Sequence, residues 1–453
     1  MSQTGSFSMS TEKVLHYGLS RDGSSSSLCA GKPAGDAAYR RKRVILFLAI
    51  SVGYLVVFFQ RVAPAIVGPV MAEELGLAAT DLGIMASMYF WAQAAGCIPA
   101  GLFSDTFGPR KIIAIGLVCA SIGTAVFVMG NGLSVLALGR FIIGLSVSVV
   151  FVGAMKIFSD WFYPNELATC SGVLLAVGNL GALLSTAPLN LLIGEAGWRN
   201  AFWMVAAYTL FSGLLAWVVL RNTPKECGFE PVGQTACGPE KAVSMGEALK
   251  VVFTTRRFYL VTIASTLYYG TLMNVGGLWS GPYLQDVYGL GKSAASGIVM
   301  CFTIGMICGC PVSGWLSDKI VRSRKKVLIL GILMHAAAYI PLVFFTDAVS
   351  SPAMLHALFF LFGATGGFFV VCFACVKETT EPRFAATAVG GLNMGIAVGA
   401  ALFQNVCGMI IDSFGRTDGV YSAEAYSAAF GLCMAMMLAA AVFMLLFREN
   451  GRQ

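Results

Sequence analysis

One arginine stands deep inside the first long apolar run of the sequence. Arg61 lies some seventeen residues into a run that begins at Val44. A charged group at the centre of a lipid-facing helix costs about 2.5 to 3.5 kcal/mol, so this side chain must face the protein interior. Its planar guanidinium could hold a carboxylate through two parallel hydrogen bonds. Arg61 therefore predicts an anion site; the alternatives are that it reaches the headgroups or bonds backbone carbonyls.

A second arginine, Arg140, lies about eight residues into another apolar run, which is roughly 12 Å along a helix that rises 1.5 Å per residue. A binding role and a structural role are both open for it, because the spacing from Arg140 to Gly144 is also a packing pattern. Lys156 lies near the other end of the same run. We interpret it as a side chain that reaches the headgroups.

Uncharged polar and aromatic side chains at mid-depth could line the same interior site. Tyr89 and Gln93 are four residues apart and so share one face of a helix. The full set of candidates is Tyr54, Gln60, Tyr89, Gln93, Asn179, Tyr268, Tyr269, Asn274, Thr365, Asn393, Gln404 and Asn405. The predicted substrate ligands are Arg61, Arg140, Tyr54, Tyr89, Gln93, Asn179, Asn274 and Asn393.

Side-chain patterns for covalent chemistry are missing from the sequence. It has no G-x-x-x-x-G-K-[ST] loop, which argues against direct use of ATP. The thirteen Cys residues lie mostly in apolar runs without C-x-x-C pairs or His partners, so we interpret them as packing residues. Neither paired carboxylates nor a nucleophile beside a base occurs at workable spacing. We therefore predict no enzyme, no cofactor and no metal site.

The apolar runs are the elements that must position these residues. Hydrophobic residues make up 57% of the 453 and charged residues only 12%, whereas soluble proteins carry about a quarter charged. A run of roughly 18 to 25 residues crosses a bilayer as a helix, which satisfies its own backbone hydrogen bonds. Twelve runs are predicted, near 44–71, 81–103, 112–130, 133–157, 167–194, 198–220, 258–283, 293–316, 327–346, 353–376, 385–411 and 425–447.

The basic residues predict how the chain is oriented. Four of them at 40–43 precede the first run and place the N-terminus in the cytoplasm, and an even number of spans places the C-terminus there too. The loops on the other side carry only Arg199, Lys292 and Arg416. The net charge of +7 is thus a topology signal and not a sign of nucleic-acid binding. The predicted parts are a cytoplasmic tail (1–43), a six-helix bundle (44–220), a cytoplasmic linker (221–257), a second six-helix bundle (258–447) and a cytoplasmic end (448–453).

The two halves also resemble each other in sequence. Gly96, Cys97, Gly101, Ser104 and Asp105 recur 213 positions later as Gly309, Cys310, Gly314, Ser317 and Asp318. Pro164, Ala168, Thr169, Gly172 and Gly181 recur 218 positions later as Pro382, Ala386, Thr387, Gly390 and Gly399. Repeats of this kind in helical membrane proteins indicate alternating access around a site between the halves.

The loop between the second and third runs, from Gly101 through Asp105 and Gly108 to Arg110 and Lys111, resembles the signature loop of the major facilitator superfamily. The second half keeps Gly314, Asp318 and a basic cluster but loses the central glycine. The resemblance implies two pseudo-symmetric bundles of six helices. It also implies that these seven residues form a gate, in which Asp105 faces the start of the eleventh span near Arg383.

Further segments, among them Gly139 to Gly144 and Trp161 to Glu166, are similar to those of the anion:cation symporters and organophosphate permeases. Arg61 occupies the first-span position where such relatives place a substrate-binding arginine, so the resemblance implies that it is a substrate ligand. The seventh span here has no arginine, which favours a carboxylate or other monoanion over a phosphate ester. Val147 stands where relatives often carry Glu, and Glu378 and Asp412 lie only at span ends. His335 is interpreted as structural, and His356 lies in the tenth span.

We therefore expect a secondary transporter of a small organic anion, working as a monomer in a bacterial inner membrane and driven by proton symport. Coupling to protons is expected only because it is common in the family that the sequence resembles. An efflux antiporter for drugs or metabolites is one alternative, although the fifth span lacks the Gly-Pro pair typical of such exporters. A solute sensor that does not transport is the other.

Overall fold

Helices make up nearly all of the described chain. The computed structural model describes residues 37–163, 166–229, 245–346, 351–379, 381, 384–417 and 419–448. The α-helices in chain order are α1 (Ala37–Val62), α2 (Pro64–Leu75), α3 (Ala79–Phe107), α4 (Pro109–Val128), α5 (Leu133–Trp161), α6 (Leu167–Leu184), α7 (Ala187–Ala196), α8 (Trp198–Val219), α9 (Met245–Thr254), α10 (Arg256–Asn274), α11 (Ser280–Asp286), α12 (Lys292–Trp315), α13 (Arg324–Phe344), α14 (Pro352–Gly366), α15 (Val371–Lys377), α16 (Ala385–Ser413) and α17 (Ala423–Leu446).

Shorter elements connect some of these helices. π-Helical stretches occupy Val275–Trp279, between α10 and α11, and Leu316–Ile320, after α12. Short 3-10 helices occupy Pro224–Cys227 and Gly367–Val370. A small hairpin of two antiparallel strands, β1 (Arg416–Thr417) and β2 (Val420–Tyr421), lies between α16 and α17.

The lengths and composition of the helices fit a membrane. Among the described residues, nine helices are long and apolar enough to cross one, and a tenth span results when α6 and α7 are counted together across their 41° bend. Two more helical stretches, α3 and the segment from α10 to α11, lie where the second and seventh spans were expected. The all-α membrane fold is confirmed, and the count of twelve spans stays a prediction.

Breaks within the expected spans have local causes. Helix α2 begins at Pro64, whose nitrogen has no hydrogen to donate. At the bend after α6, the hydroxyls of Ser185 and Thr186 donate to carbonyls of the preceding turn at 2.7 and 2.5 Å. Pro188 follows in the first turn of α7. Hydroxyls that bond their own helix, together with a proline, are common causes of such bends.

Two helix boundaries differ from the predicted spans. Helix α1 begins at Ala37, so the basic residues at 40–43 lie in its first turns and not before it. Long basic side chains reach the headgroups along their aliphatic stems, which lets a helix continue past the hydrocarbon core. In the segment predicted as a linker, the chain forms α9, and α10 starts at Arg256.

Contacts at the helix ends define two sides of the molecule. On one side, which we call the terminal side, Tyr39 donates to the carbonyl of Trp161 (2.8 Å), and the Trp161 indole donates to the carbonyl of Arg221 (3.2 Å). In the second half, Lys325 donates to the carbonyl of Leu445 (2.9 Å) on the same side. Both ends of the described chain, near 37 and 448, therefore lie on the terminal side.

The opposite side, which we call the far side, is held by a different set of contacts. Glu74 accepts hydrogen bonds from the Trp198 indole (2.5 Å) and from Arg199. These bonds, the one from Arg199 above all, hold the pKa of the Glu74 carboxyl below its usual value. In the second half, Tyr426 donates to Asp286 (2.7 Å). The alternation of sides along the chain means that consecutive spans run in opposite directions.

The internal repeat is visible in how glycines pack the helices. A β-carbon at Gly181 would lie 2.1 Å from the carbonyl oxygen of Leu55, so α6 lies directly against α1. In the second half, a β-carbon at Gly399 would lie 2.2 Å from the carbonyl oxygen of Thr266, which brings α16 against α10. Both distances are too short for any side chain. The same helix contact is therefore built twice, by the repeated glycine.

A second helix contact is repeated in the same way. A β-carbon at Gly144 would lie 2.0 Å from the carbonyl oxygen of Tyr89, and one at Gly363 would lie 1.9 Å from that of Phe302. The first pair joins α5 to α3 and the second joins α14 to α12. The two halves thus share their packing but not their chemistry, because Tyr89 corresponds to a phenylalanine in the second half.

Candidate functional site

Arg61 lies where the two halves meet. It belongs to the last turn of α1, and a β-carbon added at Gly277 in the π-helix would come within 3.7 Å of its carbonyl oxygen. One turn further on, a β-carbon at Gly281 would lie 1.8 Å from the carbonyl oxygen of Ala65. The absence of side chains at both glycines lets the first and seventh spans touch backbone to backbone. The Arg61 side chain is partly buried beside this contact.

Tyrosines, and no carboxylate, surround the Arg61 guanidinium. Its Nη1 donates to the Tyr269 hydroxyl at 2.9 Å, and its carbon lies 4.6 Å from the centre of the Phe58 ring. The hydroxyls of Tyr54 and Tyr89 also lie close enough to interact electrostatically with the Arg61 guanidinium. Within the part of the chain that the structure describes, Nε has no hydrogen-bond partner. Among the described residues, no Asp or Glu forms an ion pair with this charge.

Arg140 is a second buried charge, held within the first half. It is 2% exposed, and its Nη1 donates to the backbone carbonyl of Gln60 at 2.7 Å. Among the described residues, its Nε and Nη2 have no partner, and neither does the Gln60 side-chain oxygen, although the amide nitrogen of Gln60 donates to Thr124 (3.1 Å). An isolated buried charge costs several kcal/mol of folding free energy. Buried hydrogen-bond donors in folded proteins therefore nearly always have an acceptor. The unmatched donors of Arg140 therefore require an explanation.

The Tyr89 side chain stands between the two arginines. Its ring centre lies 4.8 Å from the Arg140 guanidinium carbon, while its hydroxyl interacts with Arg61 and donates to the carbonyl of Val57 at 3.1 Å. Gly144, four residues after Arg140, gives α5 the close approach to the Tyr89 backbone that makes the stacking possible. Gly144 thus packs α5 against α3, and the same close contact places the Arg140 charge over the Tyr89 ring.

The second half contributes Tyr269 from a rigidly packed helix. At the next position, a β-carbon on Gly270 would lie 2.8 Å from backbone atoms of Gly399 and 2.5 Å from the Phe403 ring. The Tyr269 ring also contacts Phe369, at 4.8 Å between ring centres. Tyr269 is 7% exposed. Its hydroxyl is therefore fixed to the second half and meets Arg61 across the interface.

Some predicted residues point away from this cluster. Asn274 donates to the Cys433 sulfur (3.3 Å) within the second half, and its side-chain oxygen has no partner. Tyr268 donates to the backbone carbonyl of Thr365 (2.5 Å), and His335 shares a hydrogen bond with the Thr365 hydroxyl (3.0 Å). These side chains form a polar cluster inside the second bundle. Arg61, Tyr54, Tyr89, Tyr269 and Arg140 are the predicted residues that the structure brings together.

The remaining candidates are spread over several helices. Gln404 is buried and donates to the carbonyl of Met273 (3.1 Å), close to Gly277. Asn393 donates to the carbonyl of its own helix at Val389 (3.1 Å). Gln93, Asn179, Asn393 and Asn405 are all partly exposed. Their substrate contacts stay predictions.

The sequence interpretation missed two aromatic neighbours of the charge. Phe58 precedes Arg61 by three residues, a spacing that puts both on one helix face and could have indicated the contact. Phe369 orients Tyr269 from a different helix, so no local pattern in the sequence indicates it.

The predicted gate lies on the terminal side of the molecule. Gly101 and Asp105 belong to α3, and Asp318 belongs to the second π-helix, but both aspartate side chains and the whole of Arg383 lie outside the described residues. Gly108 joins α3 to α4 with a φ of +84°, a conformation that favours glycine. A β-carbon at Gly314 would meet none of the described residues within 4 Å, so this glycine makes no close helix contact with them.

The first basic residue of this loop, Arg110, contacts the first half. The Arg110 backbone N–H donates to Asn222 at 3.0 Å, and its guanidinium donates to the carbonyl of Trp217 at 3.0 and 2.8 Å. Lys111 is exposed. Arg110 thus fastens α4 to the end of α8, and its predicted gating role stays a prediction.

Contacts between the halves continue from Arg61 toward the far side. They connect the start of α3 and the end of α2 with α12, α16 and the hairpin. The hydrogen bonds, within the described residues, run from Lys292 to Glu73 (2.9 Å), from Thr80 to Asp412 (2.8 Å), from the Ala79 N–H to Tyr421 (2.8 Å) and from Arg416 to the carbonyl of Leu77 (2.6 Å). The far side is therefore closed between the halves.

Comparison with known proteins assigns the chain to a family. A sequence profile of the Major Facilitator Superfamily matches residues 50–323 and 321–453. The chain belongs to this superfamily, and it is therefore a multi-pass membrane transporter and not an enzyme. The predicted family is confirmed.

Individual relatives are distant but cover most of the chain. A probable sulfoacetate transporter of Cupriavidus necator is 24% identical over 81% of this chain and 86% of its own length. A glycerol-3-phosphate transporter of Bacillus subtilis is 23% identical over 85% of this chain and 89% of its own. The crystal structure of a bacterial homologue of the lysosomal transporter Spinster, inward-facing and occupied, covers 91% of this chain and 97% of its own with a TM-score of 0.71 at 17% identity, which shows the fold alone.

Proposed function

We propose that this protein carries a small organic anion across the membrane and binds it between the two halves at Arg61 and Arg140. One observation carries the proposal: two arginines flank Tyr89 near the interface, and neither has a carboxylate partner among the described residues. A site for an apolar or neutral solute would not need two arginines, because burying each charge costs free energy. An anionic solute supplies the missing counter-charge.

The free donors suit an acidic group with more than one oxygen. Arg61 has an unmatched Nε, and Arg140 has an unmatched Nε and Nη2. A guanidinium binds carboxylate, sulfonate or phosphate oxygens through pairs of parallel hydrogen bonds. The two similar transporters named above are named for sulfoacetate and glycerol 3-phosphate, which are both anions. We favour a carboxylate or sulfonate over a phosphate ester, because the expected seventh span, 258–283, contains no arginine.

The direction of the chain in the membrane is part of the proposal. Basic side chains at 40–43, 110–111, 221–225 and 322–326 lie on the terminal side, whereas Arg199, Lys292 and Arg416 are the basic residues of the far-side loops that the structure describes. By the positive-inside bias, the termini lie in the cytoplasm of a bacterial cell and the closed far side faces outward. Proton symport stays a prediction, because no described carboxylate or imidazole hydrogen-bonds either arginine.

A thermal-shift experiment on the purified protein tests the binding site. The probes are sulfoacetate and glycerol 3-phosphate, with simple carboxylates as a third group. A ligand at a hundred times its dissociation constant stabilises the folded state by about 2.7 kcal/mol, so at least one probe should raise the melting temperature of the wild type. Arg61→Ala should abolish the shift.

The control variant is Arg199→Ala, which removes an arginine on the far side that pairs with Glu74 in the same half. It should keep the shift even if the protein melts at a lower temperature. A shift that survives in Arg61→Ala and Arg199→Ala alike would place the anion elsewhere.

A further inference from the structure

The hydrogen bond from Arg61 to Tyr269 joins the two halves at the very group that would bind the substrate. Arg61 belongs to the first half through α1, and Tyr269 belongs to the second through α10. The other hydrogen bonds described above between the halves lie near the far-side surface, from Glu73 to Asp412 and the hairpin. This central bond is thus the one that an arriving anion would have to replace.

The Tyr269 hydroxyl occupies the place of a ligand. It is a neutral oxygen 2.9 Å from Nη1, at the distance expected for an anion's oxygen. The ring is fixed to the second half by Phe369 and by the close contact of Gly270 with Gly399, so the hydroxyl cannot follow Arg61 if the halves separate. Among the described residues, no other group of the second half forms a hydrogen bond with Arg61.

The arginine needs such a partner whenever the carrier is empty. An alternating-access carrier must close around its site twice in each cycle, once loaded and once, for net transport, without substrate. Closing around an unmatched guanidinium would leave a buried charge without any partner from the second half, which is costly. The loaded carrier has no such difficulty, because the anion satisfies Arg61.

We propose that Tyr269 is a stand-in ligand: its hydroxyl holds Arg61 in the empty carrier, gives way to the substrate anion, and so lets the empty carrier close and return. This inference rests on the proposed function. It assigns Tyr269 a role in the return step alone, and not in binding the anion.

The test compares net transport with exchange in proteoliposomes, using labelled sulfoacetate and labelled glycerol 3-phosphate as probes. Net efflux into anion-free buffer requires the empty carrier to return, whereas exchange with the same unlabelled anion outside does not. Tyr269→Phe removes one hydroxyl and keeps the ring. We expect it to slow net efflux about tenfold or more, as the loss of one hydrogen bond to a charged group would, and to leave exchange within about twofold of the wild type.

The chain offers a matched control at the preceding residue. Tyr268 is buried in the same helix, but its hydroxyl donates to a backbone carbonyl of its own half, at Thr365. Tyr268→Phe should keep the wild-type ratio of net efflux to exchange, even if both rates fall through lost stability. A change of ratio confined to Tyr269→Phe supports the stand-in role.

Two results would overturn it. If Tyr269→Phe lowers exchange as much as net efflux, the hydroxyl binds the substrate or supports the fold; if the ratio stays that of the wild type, the bond is irrelevant to the return step. The proposed function fails separately, when the wild type moves neither probe or when Arg61→Ala exchanges at the wild-type rate, and the stand-in role then falls with it.

Discussion

At the scale of single residues, the two arginines differ in how they are held. Arg61 faces a partner from the other half, whereas Arg140 is confined to the first half by one bond to the Gln60 carbonyl and by the Tyr89 ring. A structural arginine would be expected to have its donors matched by its surroundings. Among the described residues, Arg140 keeps two donors without a partner, which favours the proposed anion-binding role over a structural one.

The two donors of Arg140 without a described partner predict an unusual pair of effects for Arg140→Met. Methionine has a similar length and no charge, and replacing an uncompensated buried charge by an apolar side chain is often neutral or stabilising. The melting temperature should therefore stay within a few degrees of the wild type, while anion exchange falls about tenfold or more, equivalent to about 1.4 kcal/mol. Thermal unfolding and exchange on the same preparation measure both. A large loss of stability with proportionate loss of activity would show that Arg140 is structural.

The sequence could predict the chemistry at Arg61 but not every neighbour. Depth inside an apolar run was sufficient to indicate an interior charge. The depth of Asn274 in its apolar run predicts that it lies in the same site as Arg61. Asn274 follows Tyr269 by five residues, however, which corresponds to about 140° around a helix at 3.6 residues per turn. The two side chains face different neighbours for that reason, Arg61 for Tyr269 and Cys433 for Asn274.

At the scale of elements, repeated glycines decide which helices approach closely. Gly144 and Gly363 lie close against the carbonyl oxygens of Tyr89 and Phe302. Gly181 and Gly399 lie equally close against backbone carbonyl oxygens of α1 and α10. Backbone atoms of this kind cannot move aside as a flexible side chain can. The repeat in the sequence thus corresponds to two copies of one packing arrangement, and both arginines belong to the first copy.

The repeat also supplies positions that should tolerate change. Gly172 and Gly390 are related by the same offset of 218, and a β-carbon at either would meet none of the described residues within 4 Å. Alanine there should be neutral or stabilise by up to about 1 kcal/mol, because alanine is the better helix former. Alanine at Gly144 or Gly363 should destabilise by about 1 to 3 kcal/mol through overpacking.

Chemical or thermal unfolding of the four single variants measures this contrast. Gly144→Ala should also reduce anion exchange more than Gly363→Ala does, because it displaces Tyr89 from Arg140. Equal stability of all four variants would contradict the packing that the helices show.

The sequence predicted the position of most helices but not their breaks. Apolar runs give the length of a span, whereas the bend at Ser185 and Thr186 and the π-helix at Val275–Trp279 depend on local hydrogen bonds and on packing across the interface. The π-helix places Gly277 beside the Arg61 carbonyl and Gly281 beside Ala65. A regular helix would present other residues to the first span.

At the scale of the whole molecule, the two halves meet at the centre and on the far side. Lys292 and Glu73 pair across the halves, and this bond holds the pKa of the Glu73 carboxyl below its usual value. Thr80 and Asp412 form a second contact nearby. Composition and repeat predicted two halves, but they could not predict which side is closed, because both closed states are built from the same sequence.

The central claim is that Arg61 binds the transported anion, and counterflow tests it most directly. Proteoliposomes loaded with unlabelled sulfoacetate or glycerol 3-phosphate are placed in a trace of the labelled anion, and transient accumulation of label is recorded. We predict accumulation with the wild type and with Arg199→Ala for at least one of the two anions, and none with Arg61→Ala. Wild-type accumulation of label by Arg61→Ala, or no accumulation by the wild type with either anion, would contradict the account.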